Sequence, residues 1–380
     1  MMLYLFEIKK FVINRKNMML GLILSSLLFL GLYFFVFNGP LTAPALKAQL
    51  LSSTQQLESS SRATLNGLSK NDRSREFFSK NEEYLEKQII AIQKNDINQY
   101  YDLELQRINF EMKNNQQVVG LSVENLEAEK SYIQLVQSRG LNFEIMPSGQ
   151  IHAFGQYVRF TFGLFFSSLF LFAFSLFVSI DLSSFLEKKE NHFFNFAGIG
   201  SLKNILTKVI TSVLLTMLWI ILLSVIDIVI VGVTSGFGSF NYPAVLSNIW
   251  GGEVATTPDN ISISNGQVIL LSLFYLFIIL VFLSTLGALL SALTKRALVV
   301  AGIIAVFVVG WSLVENQPAV QGLRRFVPMS YLNPVELLCH PSYLMGNFSY
   351  LGGIVYLMIC SLIFLFLANL VYKNYKIRRI

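Results

Sequence analysis

The stretch Val268–Leu293, VILLSLFYLFIILVFLSTLGALLSAL, contains no Asp, Glu, Lys, Arg or His. At 1.5 Å per residue a helix of this length outreaches the ~30 Å hydrocarbon core of a bilayer. Outward from it, five further runs are apolar and almost free of charge: Met18–Phe37, Phe154–Ile180, Ile205–Val233, Ala297–Leu313 and Tyr350–Tyr372. Six spans are therefore expected. The 380 residues are 53% hydrophobic and only 14% charged, against about 25% charged in soluble globular chains. The deficit is uneven, because the sequence from about residue 40 to 150 is ordinary and polar. The expected fold class is all-α: a polytopic membrane bundle of six spans with an inserted helical extracellular domain.

The basic residues cluster at span ends. Lys9, Lys10, Arg15 and Lys16 precede the first span, Lys188, Lys189, Lys203 and Lys208 surround the junction of the second and third, Lys295 and Arg296 separate the fourth and fifth, and Lys373, Lys376, Arg378 and Arg379 follow the sixth. The loop Thr234–Gln267 has no Lys or Arg, and Val314–Ser349 has only Arg324 and Arg325. The positive-inside rule then puts both termini in the cytoplasm, in a multi-pass protein of the cell membrane. The net charge of +6 belongs to these flanks, so nucleic acid is not an expected partner and membrane lipid is. Ala43-Pro44-Ala45 looks like a signal-peptide cleavage site, but the apolar run before it exceeds the about 7–15 residues of a signal core, so an uncleaved anchor is expected.

The expected parts are a cytoplasmic amphipathic helix over 1–17, a first span over 18–38, the extracellular domain over 39–153, and a five-span domain over 154–380. The last carries a cytoplasmic loop at 181–204 and an outer helical segment at 314–349. In the N-terminal helix, Leu3, Phe6, Phe11 and Ile13 are expected in the lipid interface, with the cations facing headgroups; a basic topogenic flank without defined structure is the alternative. The inserted domain has no proline from Lys47 to Arg139. Its apolar residues recur at helical steps (Leu85, Ile89, Ile92; Leu105, Ile108, Met112), with a turn at Lys94-Asn95-Asp96. It reads either as a self-packed spacer or as a domain that touches substrate or a partner.

Enzyme chemistry has little to stand on. There is no Gly-x-x-x-x-Gly-Lys-Ser/Thr phosphate loop, no Gly-x-Ser-x-Gly elbow and no His-Glu-x-x-His pair. His152, His192 and His340 lie in different segments, and Cys339 and Cys360 are the only cysteines. No catalytic residue, metal or resident cofactor is expected. Asp227 is the acidic residue deep in an apolar run, where an ionised carboxylate costs roughly 2.5–3.5 kcal/mol. Arg159 lies at similar depth in the second span. A structural ion pair between them is the main expectation, a substrate-path charge the next.

The loop and start of the third span, IDLSSFLEKKENHFFNFAGIGSLKNILTKV from Ile180 to Val209, place Glu187, Gly198, Ile199 and Lys208 in an order that resembles type-2 ABC transporter permeases. In that family an acidic stretch leads into an amphipathic coupling helix, a Gly-hydrophobic step and a lysine opening the next span. The family's frequent Gly-Thr pair after the glutamate is replaced by Lys189-Glu190. The six-span plan and the outer segment Arg324–Leu344 are also similar to the family. The resemblance implies an exporter permease of a peptide, lipid-like or drug-like amphiphile, working as a pair of permease halves with a separate ATPase that binds the ATP. Glu187, Glu190, Phe193, Phe194, Gly198 and Lys208 would then contact that ATPase. A plain interfacial loop is the alternative for this segment. Two other functional classes stay open: a membrane-anchored ectodomain that binds or senses an extracellular ligand, and a polytopic membrane enzyme or ion-coupled carrier.

Overall fold

The computed structural model describes residues 2–39, 42–69, 74–114, 123–145, 152–187, 200–244, 263–315, 317–339 and 349–377. Among them every extended regular element is helical. In chain order these are α1 (Met2–Ile13), α2 (Arg15–Phe37), α3 (Ala43–Gly67), α4 (Ser74–Gln93), α5 (Ile97–Asn114), α6 (Val123–Ser138), α7 (Ala153–Phe165), α8 (Ser168–Glu187), α9 (Ser201–Ser235), α10 (Asn265–Thr294), α11 (Ala297–Val314), the short α12 (Pro334–Cys339) and α13 (Tyr350–Ile377). Among the described residues five helices are long and apolar enough to cross a membrane, and α7 with the start of α8 makes a sixth crossing if that bent pair is one span. The outward residues of α9, among them Leu214, Leu218, Leu222 and Val225, are large, aliphatic and exposed at helical spacing. A stripe of that kind fits hydrocarbon and not water. The chain is a multi-pass membrane helical protein.

The second span is not the straight rod expected over Phe154–Ile180. It is bent by 65° between α7 and α8. Ser167 explains the break: its hydroxyl donates to the Leu164 carbonyl at 2.7 Å and accepts from the Phe170 amide at 3.4 Å. One side chain thus closes the first helix and caps the second. The chain divides into two compact units, Met1–Phe29 with Thr161–Ile226 and Ile269–Ile380, and Leu30–Phe160 with Asp227–Val268.

In the first unit α8 and α10 approach through small residues. Ser179 donates to the Leu283 carbonyl at 3.5 Å and Ser284 to the Val178 carbonyl at 3.4 Å. A Cβ at Gly287 would lie 2.0 Å from the Ser179 hydroxyl, so only glycine permits this spacing. Small-residue contacts of this sort drive helix association where no hydrophobic effect operates. The short 3₁₀ turns Pro318–Phe326 and Pro328–Tyr331 are tied to the spans: Tyr275 donates to the Tyr331 carbonyl, and Trp311 to the Ser330 hydroxyl, each at 3.0 Å.

In the second unit α3 to α6 form the inserted helical domain. Thr42 caps α3, accepting from the Ala45 amide at 3.4 Å, so Ala43-Pro44-Ala45 is the first turn of a helix. α4 ends on Asn95 with φ +64°, where the Asp96 amide reaches the Ala91 carbonyl at 2.9 Å. This left-handed closure suits asparagine, and Asp96 at once caps α5 through the Gln99 amide at 3.0 Å. The core holds Ile92, Tyr100, Tyr101, Ile108, Ile133 and Val136, and it also takes in Tyr242 from the segment after α9.

The inward face of this domain is less apolar than its sequence period suggests. Gln88, Glu104 and Glu111 are buried beside Leu85 and Ile108. Arg107 makes this possible, clamping Glu104 from one side and Glu111 from the other. Burial pushes the Glu104 carboxyl up, but hydrogen bonding and charge from Arg107, with Gln88, hold it below the ordinary value; for Glu111 burial prevails and the carboxyl titrates higher.

Candidate functional site

In the first unit, α1 meets the root of α9 through buried polar and charged side chains. Asn204, Lys208 and Thr211 fall at i, i+4 and i+7 and share one helix face. All three are buried. Across from them, α1 turns Glu7 and Phe11 inward, one turn apart, and leaves Phe6 and Ile13 exposed. Lys208 Nζ donates to Glu7 Oε2 at 2.8 Å, and each side chain is only 2% exposed.

Desolvating both charges costs several kcal/mol per ion unless the geometry is close and the surroundings are polar. The second Glu7 oxygen, Asn204 Oδ1 and Thr211 Oγ1 are likewise buried, without a hydrogen-bond partner among the described residues. Polar atoms therefore share the interior at this level. Below the pair, the Phe11 ring stacks on Phe177 of α8 at 6.3 Å, and Phe177 lies 5.5 Å from Trp219 of α9. Gly21 of α2 faces the same two rings. Asn17, buried, donates to the Phe11 carbonyl at 3.2 Å and ties α1 to α2 across the break at Asn14. The arrangement holds no nucleophile or acid–base pair poised on a reacting atom. What it does is fasten the N-terminal helix to the long helix that begins at Ser201.

The N-terminal helix thus departs from the sequence expectation in one respect. Phe11 is not a lipid-interface residue; it is an inward anchor, because its position one turn after Glu7 puts both on the face that meets α8 and α9.

The six expected ATPase-contact residues fare unequally. Lys208 is described, and it is buried against Glu7. Glu187 ends α8. Glu190, Phe193, Phe194 and Gly198 lie outside the described residues. Arg159 sits in the π-helical turn Tyr157–Thr161, half-buried, and Asp227 is wholly buried in α9. Both belong to the second unit. Glu7 was missed in the sequence, although a signal exists: it is the sole acidic residue before Glu58, set among four cations. A lone carboxylate in a basic membrane flank calls for a partner.

No family model, no curated protein and no solved structure matches this chain.

Proposed function

We propose that this chain is the membrane-spanning permease subunit of an ATP-driven exporter, paired with a second permease half and powered by a separate ATPase subunit. The observation that carries the reading is the buried Glu7–Lys208 pair. Force received by a cytoplasmic loop reaches a transport path only if the loop's flanking helix is rigidly joined to its neighbours. Lys208 stands seven residues into the helix that follows that loop, and Glu7 locks it to the N-terminal helix. A membrane anchor for a binding domain has no need of so costly a joint.

The charge asymmetry of the loops supports termini and coupling loop on the cytoplasmic side, with the inserted domain outside. Phe193 and Phe194 supply apolar anchors for an ATPase groove, and Glu187 and Glu190 set register against basic residues there. A groove among α9, α10 and α13, lined by Val209, Val213, Phe277, Val281, Met358 and Leu362, suits a hydrocarbon chain. It supports an amphiphile as the cargo class.

The test is purification of the tagged full chain from its native membrane. A nucleotide-binding subunit should co-purify, and its hydrolysis should respond to amphiphilic cargo. Phe193→Ala with Phe194→Ala should remove both effects while the chain still inserts. Recovery of the chain with no nucleotide-binding subunit, together with ligand capture by the inserted domain, would transfer the reading to a membrane-anchored binding protein.

A further inference from the structure

In the second unit, the root of the inserted domain meets the segment that follows α9 around a single side chain, His152. The Ala153 amide donates to the Gly236 carbonyl at 3.0 Å and the Phe154 amide to the Phe237 carbonyl at 3.2 Å. The rings of Phe154 and Phe240 stack at 3.7 Å. Gly236 and Gly238 have φ of +87° and +72°, and a Cβ on Gly238 would stand 2.7 Å from His152 Cβ. These two glycines let the chain wrap the imidazole.

The hydrogen bonds of that imidazole fix its protonation. Nδ1 contacts the Ser235 carbonyl, which can only accept, so Nδ1 carries a hydrogen. In the neutral ring Nε2 then has a lone pair and no hydrogen. Yet Nε2 faces Glu144 Oε1 at 3.3 Å. Two acceptors do not share that distance comfortably without a proton between them. Glu144 Oε2 is buried with no hydrogen-bond partner among the described residues, so the carboxylate has little else to offset its charge.

We propose that Glu144 and His152 form a proton-filled latch, in which a proton in the gap between Nε2 and the carboxylate holds the root of the inserted domain onto residues 235–242, and loss of that proton loosens the joint. Among the described residues the surroundings add little competing charge. Arg139, at the end of α6, spends its guanidinium on the Asn241 carbonyl. Tyr242, buried on the segment after α9, is a phenol whose titration is raised by burial and by the nearby Glu144; Tyr132 of α6 is buried as well. Tyr101 of α5 stacks on Phe143 at 4.5 Å and is likewise held neutral by burial. α9 contributes the Ser235 carbonyl, with Asp227 two turns deeper.

Burial pushes the Glu144 carboxyl up to about 7, with the charge of His152 opposing. In the open joint it reverts to about 4.3. The open imidazole keeps its own proton below about 6.5, so the closed pair binds more protons than the open one only between about 6.5 and 7. Latching is level from about pH 4.3 to about 6.5, where open and closed joints hold the same number of protons, and fades as pH rises from there through about 7, by at most about tenfold per pH unit.

The test is hydrogen–deuterium exchange of the full chain in lipid nanodiscs, read at the Ala153 and Phe154 amides and corrected for intrinsic rate. Protection should be level from pH 5 to about 6.5, fall by roughly threefold by pH 8 and then level off. Glu144→Gln carries a permanent donor toward the unprotonated Nε2, so its protection should not fall as pH rises. The same pH profile in wild type and Glu144→Gln, or a flat profile in wild type, would overturn the latch. So would a profile abolished by EDTA and restored by zinc, since a metal would then occupy the gap. If the variant does not fold, ¹⁵N-imidazole spectra of the wild type decide: His152 should show a hydrogen on Nδ1, and a neutral ring protonated on Nε2 alone would remove the proposal.

Discussion

Glu7 and Lys208 stand at opposite ends of a long stretch of sequence, yet their charged atoms meet at 2.8 Å with almost no solvent contact. Removing one partner leaves the other buried and uncompensated, which costs about 3–5 kcal/mol in a well-buried pair. Glu7→Gln and Lys208→Met should each lower the unfolding midpoint of the detergent-solubilised chain. The double variant should lose much less than the sum of the two. Additive losses in that cycle would mean that the pair carries no coupling.

In the inserted domain, Arg107→Met strands Glu104 and Glu111 in the core. The expected loss is again about 3–5 kcal/mol at neutral pH. Without the guanidinium both carboxyls sit above their unfolded values, so the defect should ease as pH falls and deepen as it rises. Limited proteolysis of α3 to α6 in the full chain, at pH 5 and pH 8, reads the difference. A defect that worsens at low pH contradicts the assignment.

Sidedness follows from charge placement and is directly checkable. Lys80 and Lys203 are both exposed on their helices. In a background without Cys339 and Cys360, a cysteine at position 80 should react with an impermeant maleimide on intact cells, and one at 203 should react only after lysis. The opposite pattern reverses the topology and the exporter reading with it.

Asp227 and Arg159 give a further test within the second unit. If the two pair, Asp227→Asn should reduce the yield of folded protein, and adding Arg159→Gln should restore much of it. No rescue in the double variant assigns the buried carboxylate a different role.

Much of this fold was legible in the sequence because its largest signal is length without charge. The runs around α2, α9, α10, α11 and α13 needed only that reading. The turn at Asn95 was equally open, since asparagine tolerates the left-handed backbone that ends α4. The break at Ser167 was not, because a serine inside an apolar run is common and only its neighbours' geometry makes it a cap. Glu104 and Glu111 look like surface residues until Arg107 is placed between them. The site was legible on one side only: Lys208 stood out as a cation opening a span, while Glu7 resembled part of a topogenic flank. The tautomer of His152 lay beyond sequence altogether, since it depends on a carbonyl far along the chain.

The seating of Tyr242 in the core of the inserted domain has a consequence for how this protein can be taken apart. The domain looks like a module delimited by two cuts, one before α3 and one after α6. Its interior nonetheless borrows a side chain that arrives from the far end of α9. A fragment ending at Arg139 is therefore missing a piece of its own filling, and deleting α3 to α6 uncovers an aromatic ring elsewhere in the chain. A transplant of the domain to another scaffold would have to carry residues 236–244 with it, as a second strand of inheritance.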